Sequence, residues 1–252
     1  MRTLLTLLNR EIRSYFYQPI AYVVMFFLLM VIGFNFYLGV LLLNQQPSEV
    51  TIIELAFNMV PFWIVFILTF PLITMRSFSE EYRLGTIETL TTAPVTDWQV
   101  VLSKYLGALI FYVLLWAPTL IHFAIFESIT DKTAANAIGA YWGTYLLLFM
   151  MGMFFTGIGC FASSLVKEDI NAAIISACTI FVWFFIPFLP EIMRTTEQSG
   201  WHEFFGYLSA AEHMREFSKG IIDSRQIVFY VSATALLLAM TLLSFQRRKW
   251  KA

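Results

Sequence analysis

Charge is scarce in this sequence. Asp, Glu, Lys and Arg make up 13% of its 252 residues, about half the share of an ordinary soluble domain. A net charge of −1 offers no basic field for a nucleic-acid partner. Cysteine is scarcer still. Cys160 and Cys178 stand alone inside apolar runs, without the spacing of a disulfide framework or a metal site. No Gly-x-x-x-x-Gly-Lys-Ser/Thr occurs, so the chain has no P-loop of its own for ATP. His-Glu-x-x-His is also missing. Trp201-His202-Glu203 and Glu212-His213 are isolated and read as exposed helix or loop residues, because a metal needs more ligands than either pair supplies. His122 reads as a hydrogen-bonded histidine near the outer membrane interface. No charged residue falls at the middle of an apolar run; Glu54 and Lys104 lie at run ends. Ion-coupled carriers place ionisable groups at mid-membrane, so a proton- or sodium-driven carrier and an intramembrane hydrolase are both disfavoured. No cleavable signal peptide is evident, since the first apolar run follows Arg10, Glu11 and Arg13 and exceeds a signal h-region.

What is present is apolar. Hydrophobic residues make up 59% of the chain, with 26 Phe, and the mean hydropathy is +0.71. The runs are continuous and of helix-spanning length, whereas barrel strands alternate polar and apolar. The expected class is an all-α membrane protein forming one transmembrane domain over 1–252. Residues 2–18 place Leu4, Leu5, Leu8, Ile12, Tyr15 and Phe16 on one helical face and Arg2, Thr6, Asn9 and Arg13 on the other. That pattern suits an interfacial elbow helix; a plain first turn before a span is the alternative. Six spans follow, at about 20–43, 55–74, 101–126, 138–165, 172–189 and 227–245. Pro61, Pro71 and Pro118 are expected to kink the second and third. The fourth is rich in small residues, and Gly139-x-x-x-Gly143 suits either packing inside the bundle or a dimer face. Between spans 5 and 6, the outer segment 191–225 contains Ser209-Ala-Ala-Glu212, a capping box. Gly220 follows Lys219 where a helix-ending glycine belongs, so a short helix is expected over 210–219. Phe204, Tyr207, Ala211, Met214, Phe217 and Ile221 are expected to form a membrane-facing side of it.

Orientation follows from the basic residues. One side carries Arg2, Arg10, Arg13, Arg76, Arg83, Lys104, Lys167, Arg247, Arg248, Lys249 and Lys251; the other carries Lys132, Arg194, Arg215, Lys219 and Arg225. Both termini and the loop 75–100 are then cytosolic, in an inner membrane. That loop is the most informative stretch. Ser77-Phe-Ser-Glu80 is a capping-box pattern for a short helix to Leu84, although span 2 can equally run through it. Gly85 permits a reversal and Pro94 discourages helix at Ala93, which bounds a small helix. Thr96-Asp-Trp-Gln99 is a second capping box and launches span 3. A small exposed helix with Ile87, Leu90 and Val95 can fill a groove on a partner or remain a solvated loop.

Taken together, Arg76-Ser-Phe-Ser-Glu80-Glu81-Tyr-Arg83-Leu-Gly85-Thr86-Ile87-Glu88-Thr89-Leu90, then Pro94-Val95 and Gln99, resembles the cytosolic loop between the second and third spans of ABC-2 type ABC-transporter permeases. Phe217-Ser-Lys-Gly220-Ile-Ile222-Asp223-Ser-Arg225 is similar to the gliding-motility and copper-enzyme-maturation branch. The resemblance implies a type V ABC exporter-like fold with short outer helices between spans 5 and 6. It implies a homo- or heterodimer of permeases that binds two cytosolic ABC ATPase subunits, with Mg-ATP in the partner and no cofactor in this chain. Gly85, Thr86, Ile87, Glu88, Thr89 and Leu90 would couple to the ATPase. Arg76, Glu80, Glu81 and Arg83 would lie on the adjoining helix at the cytosolic gate, and Glu212, Phe217, Gly220, Asp223 and Arg225 on the outer helix. The function implied is ATP-driven export, with a lipid, lipid-linked glycan or other amphiphile as the substrate that apolar spans suit best. Two alternatives stay open: a mechanical scaffold that moves no solute, and an intramembrane lipid-modifying enzyme using His202 and His213.

Overall fold

The computed structural model describes residues 2–45, 50–87, 94–129, 138–188 and 205–249. Helix α1 (Arg2–Tyr17) leads into α2 (Pro19–Gln45), whose first position suits Pro19 because its missing N–H has no partner there in any helix. The expected second span is not one helix. Helix α3 (Ile52–Asn58) is capped by the Thr51 hydroxyl, which accepts from Glu54 N at 3.2 Å, and it ends at Met59, whose ψ of 146° is extended. Helix α4 (Val60–Thr74) then starts afresh. Pro61 explains the break: in a continuous helix its ring would strike the Phe57 carbonyl, whereas in the first turn of a new helix it is tolerated.

Of the two readings of Ser77–Glu80, a fresh helix start or a span that runs through, the structure has the second. Met75 has helical angles (φ −53°, ψ −34°), so α4 continues into α5 (Arg76–Leu84) as one apolar-to-polar rod. Ser77 is therefore not a cap; it is buried in the rod, with Phe78 and Ser79. Helix α6 (Asp97–Trp116) begins on the full Thr96/Gln99 capping box. Pro118 separates it from α7 (Thr119–Ile129). The Thr119 hydroxyl donates to Trp116 O at 2.6 Å and lies 2.7 Å from the Tyr145 hydroxyl, so the break is tied to the neighbouring helix.

Helix α8 (Ile138–Leu165) is the central post. Some 72% of its most apolar stretch is buried, against 22% for α2 and for α11 (Ser224–Lys249). Glycine makes this possible at two close crossings. A Cβ on Gly152 would lie 2.1 Å from the Tyr112 ring, and one on Gly159 would lie 1.9 Å from Thr74 Oγ1. Gly143 packs within the chain, where an added Cβ would meet Phe217 O at 3.0 Å, while one on Gly139 would meet nothing within 4 Å. Helix α9 (Asp169–Phe185) is followed by a single 3₁₀ turn, Ile186–Phe188. Leu189, the expected end of span 5, lies outside the described residues. Among the described residues, five helical runs are long and apolar enough to cross a membrane, and α9 is a shorter apolar helix of 17 residues.

Helix α10 (Ala210–Ser218) starts where expected, with the Ser209 hydroxyl accepting from Glu212 N at 3.2 Å. Gly220 (φ 81°) ends it in a Schellman motif, Gly220 N to Phe217 O and Ile221 N to Glu216 O. Its membrane-facing side is a correction. Met214 and Phe217 are fully buried with Ala210 and His213, a spacing of three and four residues that turns this face onto α8 and α3; Tyr207, Ala211 and Ile221 are exposed. Phe204 lies outside the described residues.

Candidate functional site: a helix clamped above the polar loop

Helix α5 carries the polar residues that precede the loop, and it is held from three directions. On one side Glu81 Oε1 lies 2.9 Å from Lys104 Nζ on α6, and Lys104 Nζ lies 3.5 Å from Glu11 Oε1 on α1. Arg10 closes the ring, 2.7 Å from Glu11 and 3.1 Å from Glu81. Two acids and two bases balance each other. Lys104 is only 3% exposed, and its Nζ lies 5.4 Å from the Phe78 ring centroid. Buried charge persists only when paired and hydrogen-bonded, and this cluster meets that condition. Burial opposes the charge on Glu11, but Lys104 and Arg10 outweigh it and hold its carboxyl below its ordinary value. The close approach of α1 needs Gly107, because a Cβ there would fall 2.9 Å from Glu11 Cβ. Helix α1 is thus packed on α6, with Tyr15 stacked on Phe111 at 5.0 Å, while Leu5 and Phe16 remain exposed.

On the opposite side Asp169, in the first turn of α9, faces α5. Its Oδ2 lies 3.1 Å from Arg83 and 3.9 Å from Arg76, and its Oδ1 lies 2.6 Å from Ser79 Oγ. A carboxylate there is also favoured by the helix dipole. From behind, the Ser163 hydroxyl of α8 accepts from Phe78 N and Ser79 N at 3.0 and 3.1 Å and donates to Met75 O at 3.0 Å. One side chain therefore pins the junction of α4 and α5.

Arg83 and Arg76 are 52% and 36% exposed, so their pairing with Asp169 is screened and contributes on the order of 1 kcal/mol or less. Asp169→Asn is accordingly expected to cost only about 1 kcal/mol while loosening the end of α5. Amide hydrogen exchange over Arg83–Gly85 should accelerate relative to α8. Unchanged exchange there would show that Asp169 does not hold the helix.

Gly85 ends α5 in the left-handed region (φ 71°) with nothing within 4 Å of an added Cβ, so the turn requires its backbone freedom rather than its small size. Thr86 and Ile87 continue from it, with Ile87 packed against the core. Glu88, Thr89 and Leu90, and with them most of the expected small helix, lie outside the described residues. Of the four expected gate residues, Arg76, Glu81 and Arg83 are brought into the clamp. Glu80 makes no ion pair among the described residues. Sequence reasoning missed Arg10, Glu11, Lys104, Asp169 and Ser163. The signal for the charged four was the rarity of charge in so apolar a chain.

At the other end, Phe217 and Gly220 serve the close of α10, and Asp223 Oδ1 accepts from Arg225 N at 2.8 Å to start α11. Glu212 is exposed beside Arg215. His213 is a correction. It is buried, not exposed, with Nδ1 2.9 Å from the Tyr230 hydroxyl, and burial pulls its pKa down to about 4. His202 lies outside the described residues. His122 packs against Phe36, and its buried Nδ1 has no hydrogen-bond partner among the described residues, contrary to expectation.

Apolar helices around a central post, with a charged helix clamped at one end, define a multi-pass α-helical membrane protein. The chain belongs to the ABC-2 family transporter proteins, whose family model matches residues 6–250. It is a membrane permease subunit of an ABC transporter, a class that works with a cytosolic ATPase subunit. No curated protein matches it.

Proposed function

We propose that this permease forms the transmembrane half of an ATP-driven exporter, and that α5 and the loop after it receive force from the ATPase. The observation that carries this reading is the clamp itself. A helix continuous with a span, fixed to α1, α6, α8 and α9, moves those elements together when its end is pushed. Gly85–Leu90 is the contact, and Mg-ATP resides in the partner. ATP binding closes the ATPase pair and selects the bundle conformation that the closed pair fits better. The complex contains two permeases, identical or homologous, and two ATPases. The distribution of basic residues supports both termini and the loop 75–100 on the cytosolic side of an inner membrane. The 17-residue α9 meets the minimum spanning length of about 17 residues, and its 3₁₀ turn lengthens it further, which supports a count of six spans. The burial of His213 and its contact with Tyr230 count against lipid chemistry by His202 and His213.

Leu90→Asp and Glu88→Arg are expected to insert and pack normally yet lose the ATPase on co-purification, by at least about tenfold if an apolar anchor is replaced by an unpaired charge. Wild-type recovery of the ATPase with both variants would overturn the assignment of this contact.

A further inference from the structure

At the end of the bundle opposite the clamp lies a cleft of about 840 Å³. It is walled by the α3–α4 break, the 3₁₀ turn after α9, α10 with the chain before it, and the start of α11. Its lining carries three carboxylates, Glu212, Glu216 and Asp223, against one guanidinium, Arg215. Arg225 stands beyond the lining and turns its guanidinium to the Tyr207 hydroxyl at 3.0 Å. His213 adds no charge near neutral pH, because burial lowers its pKa to about 4. Among the described residues the lining is therefore net acidic, with Arg225 at its edge.

An acidic cluster alone defines no ligand, but Gln226 adds a directional requirement. It lines the cleft and is only 7% exposed. Its Nε2 donates to Glu216 Oε2 in a short hydrogen bond. That contact fixes the amide, since the flipped form would set two oxygens together. Its Oε1 is buried without a partner among the described residues. Buried acceptors are almost always satisfied, so this one calls for an N–H or O–H from a ligand. Trp63 and Tyr207 contribute aromatic walls, which attract cations over their faces. Exposed Ile221 and Ile222 adjoin Asp223 and offer an apolar surface alongside.

We propose that this cleft binds the ammonium head group of an amphiphile. Gln226 Oε1 accepts from the ammonium, Glu212 and Asp223 supply the opposing charge, and the apolar tail lies along Ile221 and Ile222. As a binding site this stands without the export reading; as a substrate subsite it rests on that reading.

The test uses the full chain in neutral phosphatidylcholine nanodiscs, with radiolabelled dodecylamine as probe. Saturable binding is expected. It should weaken about tenfold in Gln226→Leu and about threefold in Glu212→Gln, an exposed position where folding is not at stake. Dodecyltrimethylammonium, which has the charge but no N–H, should bind more weakly than dodecylamine. Equal uptake of both cations by wild type and variants would reduce the effect to bilayer partition and overturn the site. Displacement of the probe by dodecyl maltoside in preference to unlabelled dodecylamine would overturn the ammonium assignment in favour of a polyol head. ATPase stimulation by dodecylamine in the reconstituted complex reads the transport role separately. Its absence with binding intact would count against export and leave the site standing.

Discussion

Gly152→Ala is expected to lower the stability of the bundle by about 1–2 kcal/mol, although alanine is the better helix former. The opposing terms can be compared. Replacing glycine inside a helix gains about 1 kcal/mol of propensity. The added methyl would stand 2.1, 2.7 and 2.8 Å from three carbons of the Tyr112 ring. That ring is fully buried, and its hydroxyl donates to Leu148 O at 2.8 Å. It cannot swing aside without losing that bond, so α6 and α8 must separate, and overpacking of this kind costs about 1–3 kcal/mol, sometimes more. In a membrane the penalty has little to offset it, because lipid is as apolar as the side chains and helix association depends on close contact. Gly159→Ala should behave alike, with Thr74 Cβ only 2.7 Å from the added carbon. Gly139→Ala is the control: nothing lies within 4 Å, and the propensity gain should appear unopposed. Thermal unfolding in detergent should rank Gly139→Ala at or above wild type and the other two well below it. Equal midpoints for all three would refute the close crossings.

The same glycines show how far the sequence could be read. The abundance of small residues in 138–165 announced tight packing, and α8 has the expected limits. Which helix each glycine meets depends on the rotation of α6 and α4 against α8, a tertiary quantity that no local pattern carries. Hence Gly139-x-x-x-Gly143 left packing and dimerisation open, while the closest crossings fell at Gly152 and Gly159. Proline was legible in kind but not in degree. Pro118 and Pro61 both interrupt helices inside an expected span, and at the Pro61 break Asn58 finds partners in Glu54 O and Ser218. Pro71 stays inside α4, its lost donor being a single bond in an otherwise intact ladder.

Caps form at Thr96 and Ser209, whereas at Ser77, where cap and continuous span were both open, the preceding helix runs through. The three patterns are alike in sequence. What differs is the preceding chain: Met75 follows an unbroken helix whose carbonyls already serve the amides that a cap would satisfy, and Ser163 takes two of those amides from another helix. His213 failed for a related reason. A histidine in a polar segment reads as exposed, but its spacing from Ala210, Met214 and Phe217 places it on the buried face, and its partner Tyr230 comes from the next span.

Lys104→Met should be the most costly single change in the clamp, at about 3 kcal/mol. The methionine fills the apolar stem but leaves Glu11 and Glu81, both largely buried, with only the half-exposed Arg10 between them. Removing one partner of a buried cluster strands the other charges, and that stranding sets the magnitude. It also sets a pH dependence. Glu11 has its folded pKa depressed below 4.5 although burial alone would raise it. Its contribution in the wild type is therefore complete above pH 4.5 and fades as the pH falls through the folded value. Without Lys104 the folded pKa rises, so Glu11 takes up its proton earlier and the variant is relieved of a stranded charge. The stability gap between wild type and Lys104→Met should be widest near pH 7 and narrow as the pH approaches 4. Glu81→Gln in the Lys104→Met background should recover much of the loss, because the amide removes one stranded charge and can still accept from Arg10. A gap constant from pH 7 to pH 4, together with no recovery in the double variant, would mean that Lys104 acts through packing on Phe78 instead of through charge. The same variants then separate stability from coupling. If α5 transmits force as a clamped rod, Lys104→Met should bind the ATPase through an intact loop yet hydrolyse ATP without the change in α1 and α6 that the ring transmits. The double variant, though stable again, should remain uncoupled, because its restored neutrality does not rebuild the bridge from α5 to α6.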